Sequence, residues 1–468
     1  MINTFRNLLV VSTISFSINA YSLPEYVENW SEFAKKTGDK GHAKWVEMIS
    51  QPKAVALSEE WTKLRGYNAP QLVKDANLPP ELKPGLEINS SNYQNFPWLE
   101  EYVPKATLDR IKSNDWFKWN KIVIVPTSSY YMPEGTLQQT KKAVDNNIQY
   151  NATADGNLLT PDGKHLLTQS AALPFIKPKN GLEANWDFIA HGVSSDNMAF
   201  KPVRFNVCDS SDSLERQYEA HLFWQKFHGR TQVEPLGSVN GQKDAIEGGA
   251  VYFTKPFDIA GLSAVRIRYA DSKKDDNFKA FVPSLRRTRT LTGSDGQDPL
   301  AAGLEITWDE WRSYWLKTDP ENFEYNLTGE GFILAQPETG HAYDPAEMDE
   351  SSCHVKKIEL ELRPVWKLEV VDKKGKYQYS KRVIYLDKEN YYAQYEEMYD
   401  KTGNLWRVWD DARDFEPSTG RAMWKNVIEW NPINKRLTHL IMESDWDAVN
   451  KGEPAPALFN IDRLRDYR

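Results

Sequence analysis

Val265-Arg-Ile-Arg-Tyr269 and Phe278-Lys-Ala-Phe-Val282 are two stretches of alternating residues, joined by a charged loop from Asp271 to Asn277. Side chains of a β-strand point alternately to its two faces. In the first stretch the apolar residues therefore share one face, and Arg266 and Arg268 share the other. This alternation predicts two strands in the wall of an open β-structure, with one apolar face and one face in water.

The second strand is predicted to continue to Leu291, and its last part carries Arg286, Arg287 and Arg289. Arginines are costly to bury without partners. The run therefore indicates either a solvated face or a polar site. A solvated face is the commoner case, because charged residues are mostly exposed.

The first 20 residues predict a cleavable secretory signal peptide. Arg6 precedes an apolar stretch from Leu8 to Ile18, and Ala20 is the small residue expected before the cut. The apolar stretch is shorter than the roughly 20 residues that a membrane-spanning helix needs. No cysteine follows the cut, so no lipid anchor is expected. We therefore expect a soluble protein exported to the periplasm.

An exported chain whose only cysteines are Cys208 and Cys353 favours one long-range disulfide. The alternative is two unpaired cysteines buried as small hydrophobic side chains. Closing a loop of this length contributes on the order of 4 to 5 kcal/mol to stability in the chain-entropy description.

The overall composition bears on the class of ligand. The formal net charge is −8 and basic residues are spread along the chain, so a nucleic-acid-binding surface is not expected. The 17 Trp, 22 Tyr and 19 Phe residues suit both a β-core and the lining of a cavity for a hydrophobic ligand.

Three regions follow the predicted signal peptide. Residues 21–75 are predicted to be helical, because apolar residues recur at spacings of three and four. Residues 76–121 are predicted to form a proline-containing arm and a helix. Residues 122–468 are predicted to form an antiparallel half-barrel with inserted helices. The aromatic segment from Tyr218 to Phe227 is expected to be helical.

The clearest strand pattern lies near the C-terminal end, where strands are expected at 358–362 and 366–371 and in three further stretches up to residue 409. An Asp side chain can bond the backbone of a turn, and Gly or Asn tolerates a positive φ. The spacing of about 13 to 15 residues predicts an antiparallel meander. The turns between the last four strands are Asp372-Lys-Lys-Gly375, Asp387-Lys-Glu-Asn390 and Asp400-Lys-Thr-Gly403.

Catalytic signatures are scarce in this sequence. It has no Gly-x-Ser-x-Gly, His-Glu-x-x-His or Cys-x-x-Cys pattern, and no phosphate-binding loop ending in Gly-Lys. The acidic loops 271–276 and 295–298 are expected to be solvated turns rather than calcium sites. We therefore predict no catalytic residue, no metal site and no cofactor.

Several further motifs occur together in a recognisable order. They are Ala172-Leu-Pro-Phe175, Pro178-Lys-Asn-Gly-Leu-Glu-Ala184, Trp186, Arg268-Tyr269, residues 283–287, 295–298 and 309–315, Tyr385-Leu-Asp387 and Tyr399-Asp-x-x-Gly-x-Leu-Trp406. Over roughly residues 85–465 the chain thereby resembles the secreted Gram-negative family called domain of unknown function 1329. One departure is Asp187, where the family commonly has asparagine.

The resemblance implies a fold similar to the periplasmic carriers of outer-membrane lipoproteins. Such a fold is mainly β with peripheral helices: a curved antiparallel barrel, incompletely closed, with a helical lid and a concave face that holds acyl chains. The family is associated with transporters of the resistance-nodulation-division class and with outer-membrane proteins. We expect a carrier for a lipid or other hydrophobic molecule. The alternatives are a non-enzymatic adaptor between a transporter and an outer-membrane protein and, with less support, an exported hydrolase.

The residues expected to bind the ligand are those that the strand pair and a tryptophan stripe bring to the concave side. The tryptophan spacing of three and four predicts a helix that either lines the cavity or packs in the core. The arginines would meet an anionic headgroup or an acidic partner at the rim. The expected ligand-binding residues are Tyr269, Phe278, Val282, Arg286, Arg287, Trp308, Trp311 and Trp315.

Overall fold

The computed structural model of the chain describes residues 22–112, 116, 119–191, 195–293, 295–311, 313, 315–341, 343–349, 352–444, 459–460 and 464. The predicted signal peptide and its cleavage point lie outside these residues.

Eight α-helices lie in the described residues, and four of them occupy the N-terminal region predicted to be helical. No helix in this part of the chain is both long and apolar enough to cross a membrane. The helices are α1 (Glu25–Thr37), α2 (Lys40–Ile49), α3 (Pro52–Arg65), α4 (Ala69–Asp75), α5 (Leu99–Tyr102), α6 (Lys105–Lys112), α7 (Glu134–Asp145) and α8 (Gly181–His191).

Capping residues set the limits of the N-terminal helices. The Asp39 side chain accepts two backbone N–H groups at the start of α2, which leaves fewer unsatisfied donors there. Pro52 opens α3, where a missing N–H costs nothing. Helices α1 and α3 end at Gly38 and Gly66, whose φ angles of 65° and 82° favour glycine.

Strands make up most of the remaining regular structure. They are β1 (Glu87–Ile88), β2 (Ile122–Ile124), β3 (Asn151–Ala152), β4 (Leu158–Leu159), β5 (Asn197–Cys208), β6 (Leu214–Lys226), β7 (His228–Arg230), β8 (Gly237–Ser238), β9 (Ala245–Lys255), β10 (Ser263–Tyr269), β11 (Asn277–Val282), β12 (Arg287–Thr290), β13 (Phe323–Ala335), β14 (Ala346–Met348), β15 (Val355–Asp372), β16 (Lys381–Asp387), β17 (Ala393–Tyr399), β18 (Leu405–Glu416), β19 (Arg421–Asn431) and β20 (Arg436–Ser444).

Sixteen of these strands form one sheet, in the order β1-β2-β15-β16-β17-β18-β19-β20-β5-β6-β9-β10-β11-β12, with β13 and β14 also paired to β15. Every pair is antiparallel except β2 with β15. The first and last strands of the sheet, β1 and β12, do not pair with each other, so the barrel is not closed. The predicted fold class, mainly β with an incompletely closed antiparallel barrel, is confirmed.

Residues 291–322, here called the inner segment, show that the sheet is strongly curved. Asp309 of this segment forms an ion pair with Arg266 on β10, and the neighbouring Glu310 forms one with Arg382 on β16. Seven strands separate β16 from β10 in the sheet order. Adjacent residues can reach both strands only if the sheet bends around the inner segment, which therefore lies on the concave side.

Helices cover both faces of the sheet. On β16, Ile384 lies on the same face as Arg382 and packs in one core cluster with Trp30, Trp45 and Trp61 of helices α1–α3. The opposite face of the neighbouring strands packs against α5 and α6, where Tyr395 shares a cluster with these helices. The curved sheet is thus the middle layer of the molecule.

The meander near the C-terminal end is built from the predicted turns. Asp372, Asp387 and Asp400 each accept backbone N–H groups within their turn, at 2.7 to 3.1 Å. Gly375 and Gly403 adopt positive φ as expected, but in the middle turn it is Tyr391, not Asn390, that does so. The strands predicted at 358–362 and 366–371 are parts of a single strand, β15.

Two local expectations are wrong. The segment predicted to be helical from Tyr218 to Phe227 lies in β6 up to Lys226. Apolar residues occur on both of its faces, and such a run carries no clear periodicity. The predicted strand from Phe278 to Leu291 is instead a hairpin, in which β12 folds back on β11. Pro283 starts the turn, because proline lacks the N–H that a continuing strand needs.

The predicted disulfide is confirmed. Cys208 and Cys353 are joined, with their Cα atoms 6.3 Å apart, and both are fully buried. The bond ties the end of β5 to the residues just before β15. These strands belong to distant parts of the sequence, so the disulfide restricts the unfolded chain and stabilises the fold.

Candidate functional site

The predicted tryptophans come together with Phe278 on the concave side. Trp308 packs edge-on against Phe278 and Trp311, with ring centroids 5.5 and 5.9 Å apart, and Trp311 lies 5.1 Å from Trp315. Trp315 also packs against Trp224 of β6. The three tryptophans do not form the predicted helix: Trp308–Glu310 is a single 3-10 turn, and Trp311 and Trp315 lie outside any helix.

The wet face expected on β10 is wrong, because Arg266 and Arg268 are buried. Both guanidinium groups bond the carboxylate of Asp276, at 2.8 and 2.9 Å, and lie over the ring of Trp315. Burial would raise the pKa of the Asp276 carboxyl, but the two arginines outweigh it and hold that pKa at about 2. The inner segment covers this face of the strand and excludes water from it.

Of the other predicted ligand-binding residues, Tyr269 packs against the edge of the same core cluster, whereas Val282, Arg286 and Arg287 lie at or beside the β11–β12 turn. Tyr269 and Val282 are half-buried, and Lys274 lies over the Tyr269 ring at 3.5 Å. Arg286 and Arg287 are exposed at the β11–β12 turn. The structure therefore does not bring the eight predicted residues into one site.

Buried ion pairs fix the inner segment to the sheet. Arg382 contacts Glu310 at 3.1 Å and Glu396 of β17 at 2.7 Å. Arg407 of β18 contacts Glu305 at 3.2 Å. These groups are almost completely excluded from solvent, so displacing the segment would leave charges without partners in an apolar interior.

The space between the inner segment and the sheet is filled. Apolar side chains of β5, β6, β9 and β18–β20 face Trp311 there, and the remaining cavity has a volume of about 10 Å³. That is about the room of one water molecule. Beside Trp311, where the sequence places the ligand, the concave side therefore has no room for a lipid.

A larger cavity, here called the N-terminal cleft, lies between the N-terminal helices and β2. Its volume is about 570 Å³, within the range of about 300 to 1,000 Å³ typical of small-molecule sites. Its walls come from α1, α3, α4 and the arm that follows α4. The lining residues include Glu25, Glu59, Lys63, Val73, Lys74, Leu78, Leu82, Lys83, Ile124, Val125 and Leu362.

The cleft has an apolar floor and a charged rim. Ile124, Val125 and Leu362, from β2, its end and β15, form the floor together with Leu82 of the arm. The rim carries Lys63, Lys74 and Lys83 beside Glu25 and Glu59. The Glu25 carboxylate binds Lys74 across the surface at 2.7 Å. This arrangement suits an amphiphile whose apolar part lies on the floor.

A buried charge network anchors the helices that form the cleft to the sheet. Arg363 of β15 contacts Asp387 at 2.8 Å and Glu389 at 2.9 Å, and lies 3.5 Å from Glu361. Arg65, at the end of α3, contacts the same Glu389 at 3.3 Å. All five side chains are buried. The position of α3, and with it one wall of the cleft, is therefore fixed by charge pairing.

Glu338 lies at the edge of this network and should make stability depend on pH. Burial raises the pKa of its carboxyl from 4.5 to about 7, so the folded protein binds a proton that the unfolded chain has lost. The associated stabilisation is complete below pH 4.5 and is lost as the pH rises to about 7. Glutamine cannot titrate. In Glu338→Gln the fall in unfolding free energy across this interval should be smaller by about 3 kcal/mol.

Urea denaturation at a series of pH values measures this difference. Glu100→Gln is the control, because it makes the same substitution at an exposed glutamate. It should keep the wild-type dependence of unfolding free energy on pH. A Glu338→Gln variant with the wild-type pH dependence would show that Glu338 is ionised in the folded protein.

Residues 87–465 match the family described as "Protein of unknown function (DUF1329)". An uncharacterized protein of Pseudomonas aeruginosa is 25% identical over 276 residues, which span 57% of this chain and only 58% of that relative. Helices α1–α4 lie outside the family match.

Two solved structures are similar in part. A DUF1329 family protein from Desulfovibrio piger has 15% identity and a TM-score of 0.42, over 61% of this chain and 100% of that one. A LolA superfamily protein from Nitrosomonas europaea has 12% identity and a TM-score of 0.35, over 57% of this chain and 92% of that one.

Proposed function

Because this chain belongs to the DUF1329 family, whose function is unknown, we propose its function from its own geometry: it is a non-enzymatic binding protein of the cell envelope that carries a lipid or other hydrophobic molecule. The observation that supports this is the N-terminal cleft, a lipid-sized cavity with an apolar floor, whereas the space beside Trp311 is filled by side chains.

The proposed ligand is an amphiphile with an acyl chain. Transfer of a 16-carbon chain from water to an apolar site is worth roughly 12 kcal/mol, at about 0.8 kcal/mol for each methylene. A bilayer offers the acyl chain nearly the same transfer free energy, so a carrier needs only to match the affinity of the bilayer. The acyl chain would lie on Val125 and Leu362, and an anionic headgroup would meet Lys63 and Lys83 at the rim.

The cleft is formed partly by residues inside the family match and partly by residues that precede it. The floor residues Ile124, Val125 and Leu362 belong to the part that matches the family, whereas Leu82 and the helical wall, α1, α3 and α4, precede it. A site of this kind allows the ligand to be specific to this chain even where the sheet is common to the family. In this proposal the helices, and not the inner segment, are the lid.

The proposed setting is the periplasm, where the carrier would exchange ligand with a transporter of the resistance-nodulation-division class and an outer-membrane protein. The alternative is an adaptor that joins these two without holding ligand. An adaptor whose cleft has been filled by a bulky residue would still be pulled down with a transporter and would still act. A carrier with the same substitution would no longer transfer its ligand.

Native mass spectrometry of the protein purified from the envelope tests the proposal. We expect a mass increment of one hydrophobic molecule per chain, which lipid extraction releases and a fluorescent fatty acid replaces. A protein that is empty on purification and also shows no response to a panel of acyl probes would exclude the carrier and leave the adaptor.

A further inference from the structure

One end of the curved sheet carries exposed apolar side chains at the tips of its turns. Phe257, between β9 and β10, is 98% exposed, and Leu285, between β11 and β12, is 56% exposed. Leu214 at the start of β6 and Ile433 between β19 and β20 are 38% and 58% exposed. Single exposed apolar side chains are ordinary, but exposed apolar side chains that lie close together mark an interaction site.

The strand register places these tips on the same rim of the sheet. Ser263, the first residue of β10, pairs with Phe281 near the end of β11 and with Tyr252 near the end of β9. The turns at Phe257 and Leu285 are therefore neighbours. A Cβ added at Gly261 would lie 3.4 Å from Pro283, which shows that the two turns touch. We call these two turns the sheet rim.

The sheet rim is also basic. Arg286, Arg287 and Arg289 are exposed beside Leu285, and among the described residues no carboxylate forms an ion pair with Arg286 or Arg287. Asp258, the acidic residue next to Phe257, is already neutralised by Arg216. This local excess of positive charge is found on a chain whose net charge is −8.

We infer that the sheet rim docks on an anionic lipid membrane. Phe257 and Leu285 enter the interface between headgroups and acyl chains, and the three arginines bind lipid phosphates. Apolar tips flanked by basic residues are the combination that holds peripheral proteins on anionic bilayers. The inference does not depend on the N-terminal cleft, whose lining residues are elsewhere in the molecule.

A simpler role for the arginines would be to protect the edge of the sheet. Strand β12 is the last strand in the sheet order, and charged residues on an edge strand prevent pairing with other chains. That role explains the charge of β12 but not the exposed Phe257 on the neighbouring turn, and it gives no affinity for lipid. The two roles therefore differ in a measurable way.

Sedimentation with lipid vesicles tests the inference on the full chain. The protein should bind vesicles of phosphatidylcholine and phosphatidylglycerol mixed three to one, and bind much less to phosphatidylcholine alone or at high salt. Replacing Arg286, Arg287 and Arg289 with glutamine should weaken binding on the order of 100-fold, because each arginine contributes about a fivefold factor near an anionic surface. Phe257→Ser with Leu285→Ser should weaken it at least about 10-fold.

Leu236→Ser is the matched control, since Leu236 is 54% exposed but follows β7 at the other end of the strands; it should bind like the wild type. All substituted side chains are exposed, so folding should be unchanged within about 0.5 kcal/mol. Equal binding to both kinds of vesicle, or binding unaffected by the rim substitutions, would overturn the inference. Binding of the rim to a purified envelope protein with no vesicle binding would overturn it as well.

Discussion

Replacing Arg363 with alanine is expected to destabilise the folded protein by about 5 kcal/mol. The Arg363 side chain is fully buried and pairs with Asp387 and Glu389, while Glu361 lies 3.5 Å away. It also donates a hydrogen bond to the Ser128 carbonyl at 2.7 Å. Without the guanidinium, Asp387 and Glu389 lose their shared ion-pair partner in the interior, and Glu389 keeps its contact with Arg65. Such stranded charges are among the most costly changes a protein can undergo.

Urea denaturation followed by tryptophan fluorescence measures the effect. Arg287→Ala is the matched control: this arginine is exposed, and its loss should change the unfolding free energy by less than about 0.5 kcal/mol. If Arg363→Ala does not fold, Arg363→Lys keeps one charge while losing the bidentate contact, and should show an intermediate loss. A loss below about 1 kcal/mol in Arg363→Ala would mean that the network is solvated or protonated rather than charge-paired.

The meander was predictable because its signals are local. Asp372 and Asp400 accept backbone N–H groups within five residues, so these interactions are local in the sequence. The disulfide was predictable for a different reason: a chain with only two cysteines and a predicted signal peptide leaves few alternatives.

The burial of Arg266 and Arg268 was not predictable, because alternation shows which residues share a face but not what covers that face. Their cover is the inner segment, which follows β12. The partners that make burial possible are Asp276 and Asp309. The sequence predicts that Asp276 lies in a solvated loop. Only the folded β10–β11 hairpin places its carboxylate beside the arginines of β10.

The tryptophan stripe shows the limit of spacing arguments. Trp308, Trp311 and Trp315 have helical spacing, yet only the first starts a short 3-10 turn. Their position is set by contacts with Phe278 and Trp224 on distant strands. The cleft was missed for the same reason, since its floor and walls are brought together from α1, α3, α4, β2 and β15 only by the fold.

Filling the N-terminal cleft is expected to weaken ligand binding strongly. Val73 is half-buried on α4 and lines the cleft. A tryptophan at this position would take the room of about four methylene groups of an acyl chain, and the lost burial corresponds to a decrease in affinity on the order of 100-fold. Leu78→Trp, from the arm that lines the same cleft, is a second variant should Val73→Trp fold poorly.

Titration of these variants with a fluorescent fatty acid tests the central claim most directly. Val144→Trp, the same substitution at an exposed position of α7, is the control and should bind like the wild type. Trp311→Ala enlarges the concave space instead and should leave the affinity unchanged. A ligand in the N-terminal cleft predicts loss of binding in Val73→Trp and Leu78→Trp alone. Wild-type affinity in both cleft variants, or altered affinity only in Trp311→Ala, would contradict the account and place the ligand on the concave face.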